Sequence, residues 1–582
     1  MHEFLKLRSN FLRVFLVAAM TIIVVKLFSI QVIHHDDYVA KAESQHTMQN
    51  TIIAKRGEIY MMDGDDPVPI VMNAKVWSVI IDPQISKNHR DEVENTLREI
   101  AAPYITADFS KVFADNFTRY YVIARNVPYK LAQQLKEKDL PGMWFQGSTK
   151  RVYPEGTMAS GLLGFVNMDG VGQYGVEGAL NEKLSGKNGI LRTVKDVNNI
   201  PLTIGNENVR VPAKDGINVV LSIDRNIQNK AELVLKAKTE EYKVTHATAI
   251  VMDPSNGEIL AMASVPNYDA ENYAKVENAE VFQTNALMDA YEPASVCKTF
   301  AFAAAIDMGK MKPDTTFYNT DQTIVDGWPI NNLSKGHVGT ITMQTALNWS
   351  LNTGSTQALR LLGDSETEIT GPGKQRLFDY YYDKFWLGKD TGIELVESSG
   401  IIIPPDNVNA TDARYANMTF GQGLNITAMQ IAAAYSSIVN GGEYYKPTII
   451  TGEMKNGEFI AYDYQDSDHS TISGETSKTM REMLVTARNL FKNSKGYDKG
   501  FYVGGKTGTA QAVRDGKYVM DETIATYAGF GAESKESKAR YVIVTKVWEE
   551  GKGMDGGTHA KPIFDEISEF MLDYLKMRKT DN

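Results

Sequence analysis

The segment from Val14 to Ile33 constrains the fold of this chain more than any other feature of its sequence. Its 20 residues are apolar apart from four, namely Thr21, Lys26, Ser29 and Gln31. About 20 apolar residues in a helix are enough to cross the hydrocarbon core of a bilayer. Three basic residues precede the segment, namely Lys6, Arg8 and Arg13. Because basic residues stay on the cytoplasmic side, we predict a cytoplasmic tail at 1–13, a single transmembrane helix at 14–33 and an extracytoplasmic remainder.

Two other interpretations of this segment are weaker. A cleaved signal peptide needs a small-residue cleavage site after its apolar core, and Lys26-Leu27-Phe28-Ser29 does not provide one. A buried helix of a soluble protein would leave the basic residues before the segment unexplained. Lys26 is costly inside a bilayer unless its amine reaches the interface or faces a protein partner.

Composition and charge limit the classes of function. The length of 582 residues fits two to four domains. The net charge of −11 argues against nucleic acid as the main partner. The nine histidines show no metal-ligand spacing such as H-E-x-x-H, so we expect no metal and no cofactor. Cys297 has no second cysteine to pair with, and we expect a small buried residue there rather than a reactive thiol.

Hydrophobic patterning divides the chain after the apolar segment into two parts. Residues 34–224 alternate between short strand-like and helix-like runs and contain no catalytic constellation. In 225–582, strand-like runs near both ends enclose several apolar helices. We therefore predict an α+β, multidomain protein whose second part forms one sheet, assembled from distant segments and covered by helices.

A glycine pattern in the first part resembles a nucleotide-binding loop but lacks its context. Gly170, Gly172 and Gly175 have the G-x-G-x-x-G spacing and precede a helix-like run at 176–184. A dinucleotide loop needs strands on both sides, whereas a polar turn at 185–189 follows this run. We predict no nucleotide site here.

Ser295 and Lys298 form the first candidate catalytic pair. Pro293 disfavours helix just before the serine, and an apolar helix-like run follows the lysine. Residues i and i+3 share one face of a helix, so the hydroxyl and the amine can meet. A serine nucleophile needs a base, and burial or a nearby positive charge would lower the lysine pKa from about 10.4. Taken alone, S-x-x-K also fits an ordinary helix start with a lysine there by chance.

Two later motifs favour the catalytic interpretation. Ser350-Leu351-Asn352 closes an amphipathic segment, and Lys506-Thr507-Gly508-Thr509 follows a strand-like run. Serine acyltransferases combine elements of these three kinds in this order. We predict Ser295 as the nucleophile, Lys298 as its base, Ser350 as a proton relay and Asn352 as a residue that holds both Lys298 and a substrate amide.

The third motif supplies the predicted substrate contacts. Lys506 offers a positive charge to a substrate carboxylate and, by repulsion of like charges, helps to keep Lys298 neutral. Thr507 and Thr509 offer hydroxyl groups to the same carboxylate, and Gly508 leaves room for the substrate backbone. We expect the backbone N–H groups of Ser295 and Thr509 to form the oxyanion hole.

Together with further motifs, these residues resemble the class B penicillin-binding proteins along nearly the whole chain. The further motifs are Arg56-Gly57-Glu58-Ile59, a shortened continuation at Asp63-Gly64, Arg151-Val152-Tyr153-Pro154, Gly172-x-x-Gly175-x-Glu177, Asp253-Pro254 with Gly257 to Met262, Phe420-Gly421-Gln422-Gly423 and Gly505 to Gln511.

The resemblance implies a peptidoglycan D,D-transpeptidase of the bacterial cell membrane that cross-links stem peptides and is inhibited by β-lactams. It implies an N-terminal transmembrane helix, an elongated mixed α/β pedestal domain at 34–224 and a C-terminal transpeptidase domain at 225–582. The last domain is expected to resemble serine β-lactamases, with a central antiparallel sheet flanked by helices. No glycosyltransferase-like domain precedes it, so a multi-pass membrane glycan polymerase is the expected partner, in either division or elongation.

Three departures from the family pattern bear on substrate preference and drug affinity. Ala294 stands where glycine is usual, Cys297 where a larger apolar residue is common, and Val396-Glu397-Ser398-Ser399 where Pro-Gly-Glu is usual. Two alternative functions remain: a D,D-carboxypeptidase, and a non-catalytic penicillin-binding sensor or scaffold. The long pedestal argues against the first, and the complete set of motifs argues against the second.

Overall fold

The computed structural model of the protein describes residues 2–38, 47–114, 118–194, 209–463, 466–490, 500–514 and 517–578. Contacts divide the chain into two units, one of 1–56 with 185–216 and the other of 57–184 with 217–582. The second unit therefore contains residues from both sides of the predicted boundary after Asp224. The division into domains at 34–224 and 225–582 stays a prediction.

The first unit contains the apolar N-terminal helix and a small antiparallel sheet. The helix His2–Phe28 continues as a π-helix, Ser29–Ile33. Within it, Asn10–Ile33 is long and apolar enough to cross a membrane, and its most apolar stretch is unburied. The predicted segment Val14–Ile33 lies inside this span. The sheet consists of Thr47–Ile52, Gly189–Val194 and Val209–Val211.

The N-terminal part of the second unit is built on a seven-stranded sheet. Its longest strand, Asp66–Ile81, pairs antiparallel with three others, namely Ile59–Asp63, Tyr121–Pro128 and Met143–Val152. Asn218–Asp224 pairs parallel with Ile59–Asp63, and Ile450–Lys455 and Glu458–Ala461 complete the sheet. The helices on its outer strands share one apolar core with them; these are Arg90–Ala101, Phe109–Ala114 and Tyr129–Glu137.

The segment with the glycine pattern is a packed turn. Gly172–Gln173 pairs with Phe165–Val166, and a helix of five residues, Gly175–Ala179, follows. Gly175 has φ +43°, and a Cβ there would lie 2.2 Å from the carbonyl oxygen of Leu162. This glycine is therefore required by close packing of the backbone. The next helix is Asn181–Ser185.

The C-terminal part of the second unit is organised around a five-stranded antiparallel sheet. Across the sheet its strands are Ile259–Val265, His246–Met252, Tyr541–Trp548, Lys517–Ala532 and Tyr502–Arg514. Successive residues of a strand face opposite sides, so Ala249 and Val251 belong to one apolar core and Ile250 and Met252 to another. Helices Arg225–Tyr242 and Lys561–Tyr574 cover the first side. The predicted sheet of distant segments, covered by helices, is confirmed.

Two helices on the second side of the sheet are buried almost all round. Cys297–Asp307 is buried from Cys297 to Ala305, and every residue of Ala428–Val439 is buried. A helix without a polar face is stable only inside a protein or a membrane. Each large apolar side chain buried there contributes about 1.5–3 kcal/mol. These two helices therefore form the centre of the apolar core on this side of the sheet.

Shorter elements surround this centre. The remaining α-helices are Pro83–Ser86, Ser160–Leu163, Asn285–Met288, Met343–Asn348, Asn352–Leu362, Gly371–Phe378, Asp412–Thr419 and Gly474–Asn489. The remaining hairpin pairs are Thr316–Asn319 with Gly339–Thr342, Gln322–Val325 with Trp328–Asn331, and Glu443–Tyr444 with His469–Ser470.

Candidate active site

Ser295 lies in a single 3-10 turn, Ala294–Val296, that leads directly into the helix Cys297–Asp307. Ala294 has φ +51°, a left-handed conformation that costs an alanine about 1–2 kcal/mol. Its N–H donates to the carbonyl of Gly421 at 3.1 Å. A Cβ at Gly421 would lie 2.1 Å from the Ala294 carbonyl oxygen. Two motifs of the sequence thus meet, and their backbones hold the turn that presents Ser295.

Lys298 is fully buried one turn after Ser295, and its amine is surrounded by oxygen atoms. Nζ lies 3.0 Å from Ser295 Oγ and 3.1 Å from Ser350 Oγ. It donates to the Ser350 carbonyl at 2.6 Å and to Asn352 Oδ1 at 2.8 Å. The predicted meeting of the serine hydroxyl and the lysine amine is therefore present in the structure.

Burial and a neighbouring charge, rather than these contacts, favour a neutral Lys298. Burial and the nearby positive charge of Lys506 hold the pKa of Lys298 well below its usual value. A neutral amine has two N–H bonds and one lone pair. The Ser350 carbonyl and Asn352 Oδ1 can only accept, so they take the two N–H bonds. The lone pair is then left for the hydroxyl proton of Ser295, as a general base requires.

Ser350 and Asn352 occupy the connection between two helices, Met343–Asn348 and Asn352–Leu362. Ser350 has φ +54°, which turns the chain so that both its carbonyl and its hydroxyl face Lys298. The motif was expected at the end of a helix. It does follow the end of the helix Met343–Asn348, but its last residue, Asn352, begins the next helix. Asn352 Nδ2 donates to the carbonyl of Asn331 at 2.8 Å, which fixes Oδ1 toward Lys298.

Lys506 lies on the edge strand Tyr502–Arg514, called the motif strand below. Its side chain is buried, and Nζ donates to Ser350 Oγ at 2.8 Å and to the Thr507 carbonyl at 3.2 Å. Burial lowers the pKa of Lys506 to about 7. Ser350 thus bridges the two lysines. Among the described residues, neither Lys298 nor Lys506 forms a salt bridge with a carboxylate.

The other residues of the third motif lie beside the nucleophile turn. A Cβ at Gly508 would lie 2.4 Å from the carbonyl oxygen of Pro293, so only glycine allows this approach. The approach brings the backbone of the motif strand next to Ser295. Thr509 faces the same cleft as Ser295, whereas Thr507 lines a smaller cavity with Ser350 and Lys506.

The cleft that opens over Ser295 has a volume of about 1060 Å³. One wall comes from the motif strand and its hairpin partner, through Thr509 and Tyr518. The opposite wall comes from the hairpin that contains Trp328. The smaller cavity, of about 280 Å³, lies on the side of Ser350 and Lys506.

Cys297 is fully buried beside the nucleophile, and burial raises the pKa of its thiol. The prediction of a small buried residue at this position is confirmed. The left-handed Ala294 and the buried Cys297 both lie in the core of the turn, with exposures of 4% and 0%. These two departures from the family pattern therefore act on the packing around Ser295.

Three residues near the site were not predicted from the sequence. The carbonyl of Asn331 orients Asn352, the carboxyl group of Glu292 accepts from Gly423 N at 2.7 Å and Tyr518 OH at 3.1 Å, and Asp555 accepts from the Thr509 hydroxyl at 3.2 Å. Burial raises the pKa of Glu292. Only Glu292 carried a signal, since it lies three residues before Ser295, directly ahead of the S-x-x-K motif. A lone asparagine carbonyl and a lone aspartate in a loop carry none.

Models of two protein domain families match this sequence. The penicillin binding protein transpeptidase domain matches residues 247–569, which is more than half of the chain. The penicillin-binding protein dimerisation domain matches residues 51–221.

Individual proteins are similar over nearly the whole length. Stage V sporulation protein D of Bacillus subtilis is 29% identical over 99% of this chain and 87% of its own length. Peptidoglycan D,D-transpeptidase FtsI of Buchnera aphidicola is 26% identical over 97% of this chain and 94% of its own. The crystal structure of Mycobacterium tuberculosis penicillin binding protein 3, complexed with aztreonam, has the same fold, with a TM-score of 0.67 and 22% identity over 91% of this chain and 98% of the other. The chain therefore belongs to the penicillin-binding protein transpeptidase family, as its motifs predicted.

Proposed function

We propose that this chain is a serine D,D-transpeptidase that cross-links peptidoglycan stem peptides through an acyl-enzyme on Ser295, and that β-lactams inhibit it by acylating the same hydroxyl. The observation that carries the proposal is the contact of 3.0 Å between Ser295 Oγ and the buried amine of Lys298. A relative named as a peptidoglycan D,D-transpeptidase and a solved penicillin-binding protein complexed with aztreonam support it.

The first step forms the acyl-enzyme. Ser295 Oγ attacks the carbonyl carbon between the two terminal D-alanines of a donor stem, and Lys298 accepts the hydroxyl proton. Ser350 passes a proton from Lys298 to the leaving nitrogen, because its hydroxyl lies 3.1 Å from Lys298 Nζ. The C–N bond breaks, the terminal D-alanine leaves with that proton, and the donor peptide stays bound to Ser295 as an ester.

The second step transfers the acyl group. The amino group of an acceptor stem attacks the ester carbonyl, and the neutral Lys298 accepts a proton from the attacking nitrogen. The C–O bond to Ser295 breaks, and the proton returns to Ser295 Oγ. The products are an amide between two stems and the free enzyme, so atoms and protons balance over the cycle.

The third motif is proposed to hold the donor. Lys506 carries the positive charge that attracts the terminal carboxylate. The Thr507 hydroxyl lies 3.5 Å from Lys506 Nζ, on the side of the smaller cavity, and the Thr509 hydroxyl is offered from the cleft over Ser295. A bound carboxylate raises the pKa of Lys506 above its value of about 7 in the free enzyme. The N–H groups of Ser295 and Thr509 are proposed as the oxyanion hole, in which each donor contributes about 3 kcal/mol.

The cleft and the catalytic pair bear on the two alternatives. A D,D-carboxypeptidase needs room for one peptide and a water molecule. The cleft of about 1060 Å³ lies at the upper end of the range of about 300–1,000 Å³ that is usual for small-ligand sites, and we propose that an acceptor peptide binds in it beside the donor. A non-catalytic sensor or scaffold would gain nothing from a buried lysine next to a serine.

The N-terminal helix is proposed to anchor the protein in the bacterial cell membrane. The span Asn10–Ile33 is long and apolar enough for one crossing, and the basic residues before it place the N-terminus in the cytoplasm. Residues after 34 then lie outside, where peptidoglycan is found. Lys26 within the span is proposed to face a protein partner, and a multi-pass membrane glycan polymerase is the partner that the family resemblance suggests.

The masses of muropeptides test the proposal. Full-length protein, reconstituted with a glycan polymerase, is incubated with a lipid-linked precursor that carries a pentapeptide stem. We expect cross-linked dimers that lack one D-alanine, and none with Ser295→Ala. Monomers shortened by one D-alanine, without dimers, would instead identify a carboxypeptidase, and unchanged pentapeptides would identify a protein without catalytic activity.

A further inference from the structure

The hydroxyl group of Thr509 forms hydrogen bonds with a neighbouring loop. It donates to Asp555 Oδ2 at 3.2 Å and accepts from the N–H of Gly556 at 3.0 Å. A hydroxyl has one proton to donate. A ligand carboxylate can therefore take a hydrogen bond from Thr509 only after the bond to Asp555 is broken.

The loop that carries Asp555 is fixed against the motif strand. Asp555 Oδ1 accepts from the N–H groups of Gly557 at 2.9 Å and Thr558 at 3.0 Å, which holds the carboxylate in one orientation. A Cβ at Gly556 would lie 2.4 Å from the carbonyl oxygen of Gly508. The loop thus rests directly on the backbone of the third motif, and Oδ2 stays directed at Thr509.

This arrangement puts a negative charge where the charge of a ligand is expected. A carboxylate that accepts from Thr509 lies about 3 Å from its hydroxyl oxygen. Since that oxygen is 3.2 Å from Asp555 Oδ2, the two carboxylates lie about 6 Å apart or closer. At this separation, near a protein surface, like charges repel appreciably. Asp555 therefore opposes the attraction that Lys506 provides.

We propose that Asp555 determines ligand specificity in this cleft: by holding the Thr509 hydroxyl and by its charge, it weakens the binding of ligands with a carboxylate relative to matched neutral ligands. This inference rests on the proposed function, in which Thr509 contacts the carboxylate. A β-lactam keeps its carboxylate in the cleft after acylation, whereas a peptide donor loses it with the departing D-alanine. The repulsion by Asp555 therefore persists in the acyl-enzyme of a β-lactam, whereas with the natural donor it ends when the D-alanine departs.

The test compares acylation rates of a β-lactam carboxylate and its methyl ester, with full-length protein in detergent. Asp555→Asn keeps the oxygen that accepts from Gly557 and Thr558 but removes the charge. We expect its second-order acylation rate to rise about tenfold with the carboxylate and to change less than twofold with the ester, since about 6 Å separates the charges. Asp555→Glu, which retains the charge, should keep the wild-type ratio between the two ligands.

A control variant, a replacement variant and the wild type keep the possible outcomes distinct. Asp573→Asn removes the same charge from the exposed side of the helix Lys561–Tyr574 and should change neither rate. If Asp555→Asn does not fold, Asp555→Ser, which also provides a capping oxygen, replaces it. Equal effects on both ligands, or none, would overturn the role of Asp555. Failure of the wild type to be acylated by either ligand would overturn the proposed function instead.

Discussion

Two groups of buried charged side chains in this protein differ in the signs of their charges. In the N-terminal part of the second unit, Arg151 Nε donates to Glu177 Oε1 at 2.6 Å, and both side chains are buried, with exposures of 5% and 0%. In the active site, Lys298 and Lys506 are also buried, but they carry the same sign and share one hydroxyl, that of Ser350.

We infer from this difference that the first group contributes to stability and the second to catalysis. A buried pair of opposite charges compensates much of its own desolvation, and loss of one partner leaves an unpaired charge. Among the residues that the structure describes, the two buried lysines have no carboxylate partner, so only their hydrogen bonds offset the desolvation. The cost appears as lowered pKa values, and a lowered lysine pKa is what the proposed base at Lys298 requires. We therefore expect mutations in the first group to change stability and mutations in the second to change rate.

The largest effect is expected when the base is removed. Lys298→Ala should slow acylation by penicillin about 10³-fold or more, because no other group accepts the Ser295 proton. Stopped-flow measurement of acylation checks this. Because Lys298→Ala also leaves a cavity in the core, the rate is compared per folded molecule and with Lys298→Met, which removes the amine but keeps most of the volume. Both variants should be slowed alike; a Lys298→Met variant that keeps the wild-type rate would contradict the role of the amine as a base.

Breaking the opposite-charge pair should have a comparable effect on stability alone. Glu177→Gln leaves Arg151 buried and unpaired, which costs about 3–5 kcal/mol of unfolding free energy. Denaturant unfolding measures this cost, and the acylation rate per folded molecule should remain at the wild-type value. The double variant Arg151→Met with Glu177→Gln, which removes both charges, should recover part of the stability. Equal loss in the single and double variants would contradict the account of this pair.

Removal of the second lysine should discriminate between ligands. Lys506→Ala should slow acylation by a β-lactam carboxylate about 100-fold, since hydrogen bonds to charged groups contribute about 1.5–3 kcal/mol. A matched ester should lose tenfold or less, through the higher pKa of Lys298 once its like-charged neighbour is gone. Equal losses for both ligands would show that the Lys506 charge serves the base alone.

The pKa of Lys506 predicts the pH dependence of the same rate. The proton leaves Lys506 as the pH rises through about 7, so the second-order acylation rate of the free enzyme by a carboxylate ligand should fall above that pH. This fall in rate above pH 7 should be absent in Lys506→Ala. A wild-type rate that is constant from pH 6.5 to 9 would contradict a charged Lys506 in recognition.

The smallest expected effect is a gain in stability at the active site. Lys298→Met replaces a buried amine with an apolar side chain of similar length. It should raise the unfolding free energy at pH 7 by about 1 kcal/mol or more, since each unit by which burial lowers the pKa corresponds to about 1.4 kcal/mol. The folded-state pKa is lowered, so the penalty is complete below that pKa and declines as the pH rises toward the unfolded value of about 10.4. Urea unfolding at pH 7 and pH 9 should therefore show a smaller gain at the higher pH.

The sequence predicted most of the active site because the chemistry restricts the residue types. Ser295, Lys298, Ser350, Asn352 and Lys506 belong to motifs with fixed order, and the structure brings them together through hydrogen bonds. The sheet of distant segments was predicted in outline, because several of its strands are apolar runs with clear ends; its strand number and the strand Lys517–Ala532 were not predicted.

Contacts between distant loops could not be predicted in the same way. Asp555 is 46 residues from Thr509 and lies in a loop without periodicity, so only its position in the fold reveals the contact. The pairing of Arg151 with Glu177 connects two motifs that were recognised in the sequence, but the sequence does not indicate which of their side chains are in contact. The left-handed Ala294 depends on the backbone of Gly421, a tertiary effect that local propensity does not contain.

The most direct test of the central claim is to locate the acyl group. Full-length protein is treated with benzylpenicillin, and peptides from the digested protein are identified by mass spectrometry. The account predicts an adduct of one penicillin on Ser295, absent in Ser295→Ala and formed far more slowly in Lys298→Met. An adduct on Cys297 or elsewhere, or an unchanged adduct in Ser295→Ala, would contradict it.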